Sequence, residues 1–464
     1  MSSRLQSFFK FFVNVEKQER VKIALLSLSF FLVIGAYTIV KELKDSIFSN
    51  IVGSEYVPQA KMLSMLLLIP CILLYSKLVD KLRLYQLLYF YSFLYGIVGF
   101  VFVYFLGNPT IGLANTITSS ERTFGWIFYF FMEGYSPFVV SVFWAFANSI
   151  SSPESAKNNY SLVIAGSKVG GMLSAGFAWW LLTFKGNFYG FALTDVISHQ
   201  ILLSYASFSL LLVTVVIYYL NHKVSAQSLH GYEATYKADT KEEKAEEKSQ
   251  NSAGILSGLV LLFKYPYMLG IFAITFFYEI VNIVLQMKRL EIFGKESESI
   301  KDFSASLYEQ RFEVHAISLV ISLVGTRTLM KLFGERVCLF LVPLLTGSFV
   351  AYSLISGSRE AVLYSFVLLS ATHYAFSSPL KESLYIPTVK ELRFKSRSWI
   401  DAFGGKFSKV CGSLYQHVSH HFVAAPFTVD AVFFSILFGL WFVTAYLLGY
   451  KYEKATKNNE VIGA

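Results

Sequence analysis

The sequence predicts an all-α membrane protein of twelve transmembrane helices. Only 15% of its 464 residues are charged, while 54% are hydrophobic and the mean hydropathy is +0.50. A soluble globular chain carries about 25% charged residues. Apolar runs of about the 20 residues needed to cross a bilayer recur from one end to the other. The runs are continuous, whereas barrel strands alternate over about ten residues, so a β-barrel is disfavoured.

The first run, 21–48, follows a polar tail over 1–20 that lacks a signal-peptide cleavage pattern, and it is expected to act as an uncleaved insertion signal. Further runs follow at 61–80, 84–106, 124–150, 158–184 and 197–220. The segment 221–253, containing DTKEEKAEEKSQNSA, mixes charges of both signs with few apolar residues and reads as a solvated linker. The second set lies at 258–292, 303–333, 337–356, 361–388, 397–424 and 428–450, with Pro266 expected to break the first of these. The linker thus divides the chain into two six-helix bundles, 21–220 and 254–450, followed by a tail over 451–464.

Lysine and arginine are concentrated, roughly threefold, in the loops that lie on the side of the two tails, so both termini are expected in the cytoplasm. The net charge of +9 mostly reflects this bias, and nucleic-acid binding is not needed to explain it. Cys71, Cys338 and Cys411 are odd in number and widely spaced, which suggests neither a disulfide framework nor a metal site. No catalytic constellation emerges, and no glycine-rich phosphate loop ends in Lys-Ser/Thr, so an enzyme or an ATP-hydrolysing pump is not expected. No cofactor is implied, and nothing calls for more than a monomer.

The halves share a repeat. YTIVK at Tyr37–Lys41 matches YEIVN at Tyr278–Asn282, and SKVGG at Ser167–Gly171 matches SKVCG at Ser408–Gly412, both at an offset of 241. Ser136-Pro137 matches Ser378-Pro379 at an offset of 242. Parallel halves related by an axis along the membrane normal are the signature of the major-facilitator architecture, in which substrate lies between the halves.

A charge at the bilayer centre costs at least about 2.5–3.5 kcal/mol, so charges within the runs mark a cavity or a partner. The first half carries Lys41, Glu42, Lys44, Asp45, Glu133 and Lys168. The second carries Glu279, Lys288, Arg289, Arg311, Glu313, Lys381, Glu382, Asp401, Lys406 and Lys409. Lys41, Lys44 and Asp45 share a helix face, with Glu42 turned about 100° away. They read either as an interfacial ion-pair cluster or as a cavity-facing anion site built on Lys44 and Lys41. Lys168 and Lys409 are repeat mates, and two such ammonium groups could neutralise a di- or triphosphate, lysine being a mobile point charge with three donors. Ion pairing to Glu133 or Asp401 is the alternative. Glu133 stands without a cation within one helical turn and reads first as an ion-pair partner. His315, His373, His417, His420 and His421 form no metal pattern and read as packed or solvated. The abundant aromatics (Phe 45, Tyr 29) read as mostly lipid-facing.

YTIVKELKDS at 37–46, VVSVFWAFANSISSPESAKNNY at 139–160, and LKESLYIP at 380–387 followed by SRSWIDAFGGKFSKVCG resemble the nucleotide translocase family. These are the ATP/ADP carriers of obligate intracellular bacteria and plastids. The resemblance spans nearly all twelve runs. It implies a twelve-helix, major-facilitator-like transporter in a bacterial inner membrane. Such a carrier exchanges host ATP for ADP and phosphate, or imports nucleotides by other coupling. The family's functional charges are two lysines and two glutamates. By motif they fall on Lys44, Glu133 and Lys409, while the position of the helix-7 glutamate is held by Asn282, with Glu279 one turn away. The expected substrate-binding residues are therefore Lys44, Glu133, Lys168, Asn282, Lys409, Glu279 and Lys41. ATP:ADP exchange is the leading expectation. A proton-coupled importer of other nucleotides, with Glu133 or Glu279 titrating, and a non-transport scaffold remain the alternatives.

Overall fold

The structure, a computed structural model, describes residues 17–151, 153–184, 187–188, 191–224, 260–324, 326–385, 387–388, 396, 400, 404–419, 426–458, 460 and 462–463. The expected linker from residue 225 onward lies outside these residues, as do the tail to residue 16, Asp401, His420 and His421.

The described residues are almost wholly helical. α1 (Lys17–Ile51) runs through the charged stretch unbroken, because from Ala36 to Ile51 it meets neither glycine nor proline. There follow α2 (Val57–Lys81), α3 (Leu84–Leu106), α4 (Thr123–Glu133), α5 (Ser141–Ser149), α6 (Pro153–Thr183) and α7 (Asp195–Lys223). Next come α8 (Pro266–Glu296), α9 (Ile300–Val324), α10 (Thr326–Ser356), α11 (Arg359–Thr372), α12 (Ser378–Leu384), α13 (Gly405–Ser419) and α14 (Pro426–Lys457). A two-residue antiparallel ladder, Asn187–Phe188 with Phe191–Ala192, sits between α6 and α7.

Proline and glycine account for where the elements depart from the apolar runs. The run 258–292 is broken at Tyr265, and Pro266 opens α8 at a position where its missing N–H leaves no bond unmade. The run 303–333 ends early: α9 stops at Val324, and α10 consists of a segment over 326–333 and a second helix running to Ser356, separated at Gly334, whose φ of 72° and ψ of 164° are not helical. The runs 124–150 and 361–388 are each interrupted by one π-helical turn, Ser136–Val140 and His373–Ser377. The first contains Ser136-Pro137 and the second immediately precedes Ser378-Pro379, and Pro137 and Pro379 have no N–H to return to the carbonyls of Glu133 and Ala375.

Eight described helices are long and apolar enough to cross a bilayer, among them α1, α3, α6, α7, α8 and α14. Their outer faces are apolar too. α14 exposes Phe427, Val432, Ile436, Leu440, Val443, Leu447 and Tyr450, a surface that suits lipid and not water.

The chain divides into two compact units. The first comprises the described residues of Met1–Ile51, Ile69–Ala245 and Ser299–Glu309; the second, those of Val52–Leu68, Glu246–Glu298 and Gln310–Ala464. In the first unit α1 and α6 pack closely over small residues. A Cβ at Gly170 would lie 2.4 Å from the Phe31 carbonyl oxygen, and one at Gly166 would lie 2.2 Å from Ser27 Oγ. In the second unit Gly412 of α13 meets Ile283 of α8 in the same manner, its Cβ falling 2.7 Å from Ile283 Cγ2. The glycines of both SKVxG segments thus serve helix approach in a medium where close packing replaces the hydrophobic effect. Gly170→Ala is expected to cost about 1–3 kcal/mol through overpacking. This would appear as a lowered thermal midpoint of the detergent-solubilised protein, and an unchanged midpoint would show that the crossing relaxes freely.

Candidate functional site

Within the first unit, α1 and α4 present matching i, i+4 pairs. Lys44 and Phe48 lie one turn apart on α1, and Tyr129 and Glu133 lie one turn apart on α4. The pairs interlock. Lys44 Nζ donates to Glu133 Oε2 at 2.5 Å and stands 4.5 Å from the Tyr129 ring centroid, and Phe48 packs on Tyr129 with centroids 4.8 Å apart. Asp45 adds a second carboxylate oxygen 3.4 Å from the ammonium. The whole group is dry: the Lys44 and Glu133 side chains are 7% and 12% exposed, and Glu42, Asp45 and Tyr129 are fully buried. The KELKD cluster is therefore an interior feature and not a set of snorkelling interfacial charges. Tyr308 steadies α1 one turn earlier, its hydroxyl donating to the Ile39 carbonyl at 2.7 Å.

Lys41 is half-buried, its ammonium 6.0 Å from the Tyr37 ring centroid. Lys168 lies half-buried on α6, two residues before the glycine that meets Phe31. Of the acids weighed for Lys168, Glu133 is engaged by Lys44, and Asp401 lies outside the described residues.

In the second unit, Asn282 Nδ2 donates to Glu279 Oε2 at 3.5 Å, one turn earlier on α8. Lys409 lies half-buried on α13. Lys288 is held by Asp430 of α14, whose other oxygen accepts from the Tyr415 hydroxyl at 2.6 Å. Arg289 and Arg311, both buried, lie 4.3 and 5.9 Å from the centroid of the same Phe366 ring. His373 stacks on Tyr278 at a centroid distance of 3.6 Å, as a packed histidine would.

Sequence reasoning missed Asp430, Tyr129 and two further buried groups of the first unit. Lys22 is bound to Glu19 at 2.8 Å and to the Ile150 carbonyl at 3.3 Å. His199 bridges the Asp195 carbonyl, 2.6 Å from Nδ1, and Ser304 Oγ, 2.8 Å from Nε2. Lone polar residues inside long apolar runs were the available signal for His199 and Asp430; Tyr129 gave none, standing among other aromatics.

Apolar helices that bury paired charges define a multi-pass membrane protein, and the fold is that of major-facilitator transporters. A D-xylose–proton symporter superposes with a TM-score of 0.58 at 12% identity, over 93% of this chain and 96% of that one. A bacterial homologue of the human lysosomal transporter Spinster gives 0.56 at 12% identity, over 97% of this chain and all of that one. More particularly, the chain belongs to the TLC ATP/ADP transporter family, whose model matches residues 1–360 of the 464. It is 22% identical to ADP,ATP carrier protein 1 of Chlamydia pneumoniae, over 96% of this chain and 95% of that one. It is also 22% identical to ADP,ATP carrier protein 3 of Rickettsia felis, over 96% and 97%.

A contact between two buried charges is expected to be energetically coupled. In a double-mutant cycle of Lys44→Gln and Glu133→Gln, read by thermal or denaturant unfolding, the coupling should reach at least about 1 kcal/mol. Additive effects would mean that the two side chains contribute independently.

Proposed function

We propose that this chain is a secondary transporter that imports ATP in exchange for ADP by alternating access, working in a bacterial inner membrane. Family membership gives the substrate class. The observation that carries the reading at the site is the Lys44–Glu133 pair, an ammonium kept in a dry interior by an exchangeable carboxylate.

The chemistry follows from the cost of a lone charge in low dielectric. A nucleotide phosphate can replace Glu133 on Lys44, so the ammonium passes from one anion to another and is never left bare. When the phosphate leaves, Glu133 takes the ammonium back. Lys168 and Lys409, repeat mates on α6 and α13, add mobile positive charge for the remaining phosphates. Lys41 extends the cationic face of α1. The full scheme has twelve helices in two six-helix halves, 21–220 and 254–450, a cytoplasmic linker over 221–253, cytoplasmic tails and a single chain as the working unit.

Asn282 favours a second reading, in which Glu279 titrates and uptake is coupled to protons. The hydrogen bond from Asn282 to Glu279 supports a retained carboxylate function at this place. Uptake indifferent to an imposed pH gradient would exclude proton coupling.

In proteoliposomes loaded with labelled ADP, external ATP is expected to release the label, and absence of release would refute exchange. Lys44→Gln and Lys409→Gln are each expected to weaken ATP binding at least tenfold, about 1.4 kcal/mol. Unchanged ATP competition for ADP uptake would return that lysine to a purely structural ion pair.

A further inference from the structure

Tyr95, Tyr135 and Tyr308, all buried in the first unit, each spend their phenol proton on a main-chain carbonyl. Tyr95 donates to Phe131 at 3.2 Å, Tyr135 to Val33 at 2.9 Å and Tyr308 to Ile39 at 2.7 Å. Tyr129 does not. Its hydroxyl is buried and meets no acceptor among the described residues. Its neighbours along α4, Phe128, Phe130 and Phe131, are phenylalanines. A phenyl ring at 129 would offer Lys44 the same face and Phe48 the same packing. A buried hydroxyl without a partner costs free energy that a phenylalanine would not. This one also sits among the charges of the site, for Lys44, Asp45 and Glu133 all act on it electrostatically.

Exchange at Lys44 leaves one charge to be settled. When a phosphate takes the ammonium, Lys44 keeps an anion, but the Glu133 carboxylate gives up Lys44 within the same dry interior. An ionised carboxylate there needs hydrogen-bond donors. Tyr129 precedes Glu133 by one turn of α4, and side chains at i and i+4 are neighbours. The two can therefore meet without movement between helices. A phenol donating to a carboxylate makes a charge-assisted hydrogen bond, about twice as strong as a neutral one. The ring that carries the hydroxyl is held by Phe48, at 4.8 Å, and by Phe130, at 6.1 Å. We propose that Tyr129 is a positioning residue that receives the Glu133 carboxylate when nucleotide displaces it from Lys44. It gives the carboxylate back when the nucleotide leaves. The proposal rests on the transport reading above and accounts for the one phenol proton left unspent beside the ion pair.

Tyr129→Phe tests it by removing the hydroxyl and keeping the ring. In the purified full chain in lipid nanodiscs, binding of labelled ATP should weaken at least about tenfold. The thermal midpoint without nucleotide should stay level or rise, because an unpaired hydroxyl has been removed. In a Glu133→Gln background no carboxylate is displaced, so adding Tyr129→Phe should change ATP binding by less than about twofold. Unchanged ATP binding in Tyr129→Phe would overturn the proposal. So would an equal loss in both backgrounds, which would put the phenol on the nucleotide itself. If Glu133→Gln does not fold, Tyr129→Phe decides alone. Weaker binding with the midpoint held supports the proposal, and weaker binding with a lowered midpoint marks a packing role and overturns it. A parent protein that binds no ATP would refute the transport reading itself, an outcome distinct from failure of Tyr129 to receive the carboxylate.

Discussion

An ammonium ion inside a bundle of apolar helices cannot be left alone, and the geometry around Lys44 follows from that. Its desolvation has to be offset by a carboxylate at contact distance, so α1 and α4 are held in the register that brings Glu133 to 2.5 Å. Tyr129 covers the charge with a ring face, and Phe48 fixes the ring. The glycines of α6 allow α1 to be approached at backbone distance, and Tyr308 holds the Ile39 carbonyl. The same constraint operates in the second unit, where Lys288 is matched by Asp430 and a tyrosine hydroxyl. Such pairs are weak contributors to stability compared with an apolar replacement.

The repeat is expressed in backbone features and departs in side chains. Ser-Pro stands in a π-turn in the first unit and directly after one in the second, and a glycine meets a neighbouring helix in both SKVxG segments. Pro137 deprives the Glu133 carbonyl of its usual donor, so the acid sits at the end of a helical segment where a change of bend could alter its reach. Against this common frame, Lys41 is answered by Asn282, and Tyr135 by Ser377. The differing side chains give the two units distinct interiors at matching places in the sequence.

Much of this was legible in the residues. The alternation of apolar runs with polar breaks located the helices, because a bilayer tolerates few other patterns. The cost of buried charge singled out Lys44 and Glu133, and the repeat singled out Lys168 and Lys409. Periodicity could not show that the runs 124–150 and 361–388 each contain a π-turn, since one extra residue in a helix leaves an apolar run apolar. Nor could it show that 326–333 is a helical segment set off from the following helix, a matter decided at Gly334 by a backbone angle that only glycine adopts readily.

What the sequence determined by itself was the class of molecule, a multi-pass helical membrane chain with charges set inside its apolar runs, because composition and hydropathy act locally along the chain; its likeness to nucleotide carriers lay in its motifs. What only the tertiary structure decided was partnership. Lys44 meets an acid 89 residues away and Lys288 one 142 residues away. Spacing along a helix fixes which face a residue occupies, but which helix lies opposite that face depends on how the whole bundle packs.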